Sequence, residues 1–86
     1  MVSKVTRTAI EQKIAHVGYM QVGKKLTLAF VTMKNGYEIV GESACVDPAN
    51  FDAKLGEQYA LENAIEKIWP LEGYLLQEKL HAEQNC

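Results

Sequence analysis

The sequence predicts a single α+β domain over residues 1–86: a short N-terminal helix, a three-stranded antiparallel meander with an Asn-Gly hairpin, and a long C-terminal helical segment kinked or broken at Pro70. Three observations carry that prediction. Apolar residues pass from a four-residue to a two-residue repeat near His16, Asn35-Gly36 separates two runs of strand-forming residues, and helical three-and-four spacing takes over beyond Phe51.

The first element is read from residues 6–15. Thr8 and Glu11 have capping-box spacing, and Ile10 and Ile14 lie four apart on one face, so a short helix begins at Thr6 or Thr8. From His16 the pattern alternates, with Val17, Tyr19 and Gln21 on one side and Gly18, Met20 and Val22 on the other, until Gly23-Lys24 supplies a turn. Lys25 to Lys34 is the clearest strand. Asn35-Gly36 then favours a type I′ hairpin turn, and Tyr37 to Ala44 returns as the partner strand.

Asp47-Pro48 offers a helix start with Asp as cap and Pro at the first helical position, while Asn50 or Asp52 offers a cap after one irregular turn. Phe51, Leu55, Tyr59, Leu61, Ala64, Ile65, Ile68 and Trp69 form the apolar stripe of the helix that follows. Pro70 lacks a backbone donor and disfavours helical geometry at Trp69, so the helix is expected to kink or restart there. Leu71, Tyr74, Leu75, Leu76 and Leu80 extend a second apolar stretch to about Lys79, and His81 to Cys86 are expected to fray.

The central strand is apolar on both sides: Leu26, Leu28 and Phe30 point one way, Ala29, Val31 and Met33 the other. Two helical segments cover one side of a three-stranded sheet but hardly both. A chain of 86 residues also sits near the lower end of self-sufficient core size. Together these predict a homo-oligomer, in which the second face is a subunit interface; ordinary exposed apolar surface is the plainer alternative.

Composition narrows the function classes. An apolar fraction of 48% with 23% charged residues is globular. Net charge is −2, and only Lys24 and Lys25 are adjacent basic residues, so no face for duplex nucleic acid is expected. Cys45 and Cys86 are too few and too distant for a disulfide framework or a zinc site and read as reduced thiols. The opening residues lack the apolar run of a secretory signal, and no window approaches the roughly 20 apolar residues of a membrane span. A cytoplasmic protein without a cofactor, metal or membrane contact is expected.

The run Asn35-Gly36-Tyr37-Glu38-Ile39-Val40-Gly41-Glu42-Ser43-Ala44-Cys45-Val46-Asp47-Pro48-Ala49-Asn50-Phe51-Asp52 resembles the signature of a family of small tailed-phage proteins, the gene-49/gene-66 family. The stretch from Glu62 through Trp69-Pro70 to Leu76 is similar to the family's C-terminal part, and Lys4-Val5-Thr6-Arg7 is of its opening type. The resemblance implies a phage or prophage accessory protein acting in the host cytoplasm. It implies no catalytic motif, and no functional residue is carried over from it.

Among possible sites, the segment Gly41 to Asp52 runs from a strand into a helix start, where free N–H groups and the helix dipole favour anions. Ser43, Asn50, Lys24, Lys25 and Tyr37 form the candidate ligand-binding set for a small anion or nucleotide, with the lysines supplied by a neighbouring subunit. Against it, Asp47, Asn50 and Asp52 suffice as helix caps, and Asp47 already brings the negative charge that the helix end favours.

Cys45 near a helix start raises the question of a nucleophile, but His16 and His81 come with no Asp or Asn at a recognisable spacing, so a buried structural cysteine is expected. Glu62, Glu66, Glu72 and Lys67 read as a solvated face rather than a metal or acid–base cluster. Tyr19, Tyr37, Tyr59, Tyr74 and Trp69 read as core or interface rather than as base-stacking platforms.

The resulting expectation is a non-enzymatic, homo-oligomeric binding module that counters host anti-phage defence, with a nucleotide signalling molecule as one candidate cargo. The alternative is a stoichiometric, protein-directed inhibitor or modulator of a host enzyme.

Overall fold

Helix α1 (Arg7–Gln12) begins at Thr6, whose hydroxyl accepts from the Ala9 N–H at 3.1 Å in the computed structural model, which describes residues 4–84. Thr6 therefore caps, and the Thr8–Glu11 pair does not. The chain leaves the helix at Lys13, so Ile14, expected on the helix face with Ile10, instead opens strand β1 (Ile14–Val22). Both residues still serve the core, because the half-buried Ile14 packs from a different element against the cluster that includes Ile10.

Strands β2 (Leu26–Met33) and β3 (Glu38–Ala44) complete an antiparallel sheet in the order β1-β2-β3. The hairpin joining β2 to β3 differs from the expected type I′ turn. Only Gly36 takes a positive φ, +92°; Gly36 N–H donates to Met33 O at 2.9 Å, and Met33 N–H donates to Tyr37 O at 2.8 Å. That is a type I turn followed by a left-handed glycine. Asn35 contributes through its side chain, accepting from the Tyr37 N–H at 3.0 Å, and needs no left-handed backbone.

A 3-10 turn, Pro48–Asn50, then leads to helix α2 (Ala53–Gln84). Of the possible caps Asp52 is the one used, its Oδ1 accepting from Lys54 N–H at 3.0 Å and Leu55 N–H at 3.2 Å. The helix is not broken at Pro70, and residues on both sides of it belong to one 32-residue element. The proline's missing donor would have reached the carbonyl of Glu66. Both residues are exposed, so water can satisfy that carbonyl, while Ile65 and Ile68 anchor the helix to the sheet. His81 to Gln84 remain helical; residues 85 and 86, with Cys86, lie outside the described residues.

The core lies between the sheet and α2, where Ile10, Val31, Met33, Ile39, Ala64, Ile65 and Ile68 are buried. Each fully buried Ile contributes roughly 1.5–3 kcal/mol relative to exposure. The helix approaches β3 closely because both sides are small: a Cβ on Gly41 would lie 2.1 Å from the Ala60 carbonyl oxygen and 2.5 Å from the Ala64 nitrogen. Gly56 repeats this one turn earlier, where a Cβ would come within 2.7 Å of Thr27 Oγ1. Of this Gly56, Ala60, Ala64 stripe, only Ala64 belongs to the apolar pattern expected from the sequence; Gly56 and Ala60 do not. Leu55, Tyr59 and Trp69, expected in the apolar stripe, are exposed.

Candidate functional site

The other side of the sheet is uncovered. β2 turns Thr27, Ala29, Val31 and Met33 towards α2 and Leu26, Leu28, Phe30 and Thr32 away from it. The register places Met20 and Val22 of β1 and Val40 and Ala44 of β3 beside that outer row. Met20, Val22, Phe30 and Val40 are all exposed, which makes a continuous apolar surface across three strands. The doubly apolar strand anticipated from the sequence therefore has one covered and one open face.

At the start of α2, Lys25, Ser43 and Asn50 line a cavity of about 170 Å³ together with Thr27 and Cys45. β2 and β3 bring Lys25 and Ser43 there, with Cys45 N–H donating to Lys25 O at 2.8 Å, and the 3-10 turn brings Asn50. Lys24 sits exposed in the β1–β2 turn. Tyr37 lines a different cleft at the far end of the sheet. The structure thus brings three of the five sequence-derived residues together and leaves two apart.

Carboxylates and local bonds occupy much of what an anion would use. Asp52 takes the helix-start amides, Asp47 Oδ1 accepts from Ala49 N–H at 3.0 Å, and Ser43 Oγ donates to Gly56 O at 2.8 Å. Cys45 Sγ donates to Asp47 O at 2.8 Å, and neither His16 nor His81 lines this cavity. Thr27 is the exception: it is only 3% exposed, and its hydroxyl has no protein partner.

The larger cleft, about 440 Å³, lies between the β2–β3 hairpin and α2. Met33, Ile39, Ile68, Leu71 and Leu75 give it an apolar floor, and Lys34, Tyr37 and the Lys13–Glu72 ion pair rim it. Sequence reasoning missed this cleft. The available signal was Leu71 and Leu75, four apart, in a helix segment that runs past the sheet.

The acidic cluster of α2 is more than a solvated face. Arg7 donates to both oxygens of Glu62, at 2.6 and 2.7 Å, which ties α1 to α2, and Lys67 Nζ donates to Val40 O at 2.7 Å. The bonds to Glu62 and then Glu11 hold the Arg7 guanidinium above its ordinary pKa, and the bond from Arg7 holds the Glu62 carboxyl below the usual range. Among the described residues no group of three His, Cys, Asp or Glu side chains could hold a metal, and no helix is long and apolar enough to cross a membrane. Tyr19, Tyr37, Tyr59, Tyr74 and Trp69 are all exposed, so none is a core residue.

Comparison with family models matches residues 5–80 to the family described as phage protein (N4 Gp49/phage Sf6 gene 66). Neither a curated protein nor a solved structure matches the chain.

Proposed function

Since the chain belongs to the phage protein (N4 Gp49/phage Sf6 gene 66) family, we propose that it is a non-enzymatic accessory module that works as a homo-oligomer in the host cytoplasm and counters anti-phage defence by holding a host component. The observation that carries this reading is the outer sheet face, where Met20, Val22, Phe30 and Val40 meet solvent in a chain with a small core. Such contiguous apolar surface is characteristic of an interface.

The held component is a host protein. A cleft of 440 Å³ with an apolar floor is of the size that accommodates a large apolar side chain or two, and it lies in the 300–1,000 Å³ range of binding pockets. Native mass spectrometry of the purified protein, followed by affinity capture from host lysate, tests both parts. A discrete oligomer with a stoichiometric host protein that Leu71→Glu releases is expected; a bare monomer without such a partner overturns the reading.

Convergence of Lys25, Ser43 and Asn50 beside the unpartnered Thr27 hydroxyl supports a second reading, sequestration of a nucleotide signal. Its difficulty is one of size and charge: 170 Å³ is below the pocket range, and the lining carboxylate of Asp52 opposes phosphate. Thermal shift with a nucleotide panel separates the two. A shift that Thr27→Val abolishes would favour the nucleotide; none is expected.

A further inference from the structure

The sheet ends in two edge strands, β1 and β3, and they are protected unequally. On β3 the Val40 carbonyl accepts from Lys67 Nζ at 2.7 Å, and the Glu42 N–H donates to Asn63 Oδ1 at 3.0 Å. Side chains of α2 thus take the backbone groups that an added strand would need. Charge acts in the same direction: a two-fold pairing of β3 with itself about Val40 would set Glu38 opposite Glu42 of the copy, twice over, and like charges directly opposite are destabilising.

β1 has neither protection. Its nine residues, Ile-Ala-His-Val-Gly-Tyr-Met-Gln-Val, include no Asp, Glu, Lys, Arg or Pro, the residue types that normally discourage an exposed edge from pairing. Its open backbone groups can be assigned. Cys45 N–H donates to Lys25 O and Met33 N–H to Tyr37 O, so odd-numbered residues of β2 bond towards β3 and even-numbered ones towards β1. With Gly18 opposite Phe30 and Met20 opposite Leu28, it is Val17, Tyr19 and Gln21 that turn their N–H and C=O groups to the open edge.

We propose that β1 pairs antiparallel with β1 of a second copy about a two-fold axis at Gly18, joining two three-stranded sheets into one of six strands. In this register Val17 and the copy's Tyr19 form hydrogen-bonded pairs, His16 faces the copy's Met20, and no like charges oppose. Gly18 faces its own equivalent at the close-approach position, where neither copy has a side chain. The axis stands normal to the sheet, so both α2 helices lie on one side and the two outer apolar faces fuse on the other. A nine-residue strand is about 30 Å long, and edge pairing over that length buries less than the roughly 800 Å² per partner of a standard interface. The dimer therefore dissociates on dilution unless the fused face adds contacts.

This inference rests on the homo-oligomer reading and adds to it an edge interface that leaves the outer apolar face open. Amide hydrogen exchange by NMR on the native protein, with light scattering over a dilution series, tests it. In the assembled protein the Val17, Tyr19 and Gln21 amides should be protected to the degree of Gly18 and Met20, which bond within the sheet, and that protection should fall on dilution. Tyr19→Pro removes an outward donor without touching the β1–β2 bonds and should halve the mass with an unchanged far-ultraviolet circular dichroism spectrum, whereas Tyr19→Ala should keep the dimer. Fast exchange at Val17, Tyr19 and Gln21 in an assembled protein overturns the β1 interface and leaves the oligomer standing. A wild-type monomer at all concentrations overturns both, and if Tyr19→Pro fails to fold, the wild-type exchange pattern decides.

Discussion

Glu62 and Gly41 show how differently single residues hold this fold. The Glu62 carboxylate is stabilised by Arg7, so its folded pKa lies below the unfolded value of about 4.3. Its contribution is complete above that value and is lost as pH falls through the lowered folded pKa. The urea midpoint should therefore fall more steeply below about pH 4.3 in the wild type than in Glu62→Gln. The pair is exposed, and such pairs contribute little at neutral pH. Gly41→Ala should cost far more, on the order of 3 kcal/mol or higher by urea denaturation, because its new methyl would meet helix backbone that cannot rotate away.

At the scale of elements, α2 contains both a conserved expectation of helical chemistry and its exception. Proline in a helix interior costs about 3 kcal/mol relative to alanine, yet α2 runs on through Pro70 because the residue is exposed and Ile65 and Ile68 hold the turns before it. Pro70→Ala should raise stability by about 1–3 kcal/mol, read as a higher urea midpoint with an unchanged slope. The strands were legible because alternation and β-branching act locally, and their observed bounds fall within two residues of those expected. The buried side of α2 was less legible. Large residues such as Leu55 and Tyr59 dominate the apolar pattern, whereas close approach to the sheet also selects the small Gly56 and Ala60, which hydrophobicity hardly registers. The candidate site suffered similarly: Lys25, Ser43 and Asn50 are adjoined by strand pairing and one turn, but the cleft under Leu71 and Leu75 depends on where the hairpin tip meets the helix.

For the whole molecule, the extents of 58 × 21 × 16 Å are set by α2, whose 32 residues span about 48 Å against about 30 Å for the longest strand of the sheet. Burial follows that mismatch: the buried residues of α2 end at Ile68, and Leu71, Tyr74 and Leu75 beyond it are exposed. Phe30→Glu on the outer face, which the β1 pairing leaves open, should keep the β1-paired dimer and abolish any further concentration-dependent association, measured by light scattering over a dilution series. The bonds from Lys67 and Asn63 to β3 also set a limit on growth. A subunit with one sealed edge and one open edge can add a single neighbour and then has nothing further to offer, so assembly through strands terminates at a pair instead of running on as a fibre. Removing both seals and the opposing charge, in Asn63→Ala with Lys67→Ala and Glu42→Gln, should convert a closed pair into a polydisperse polymer, read by light scattering.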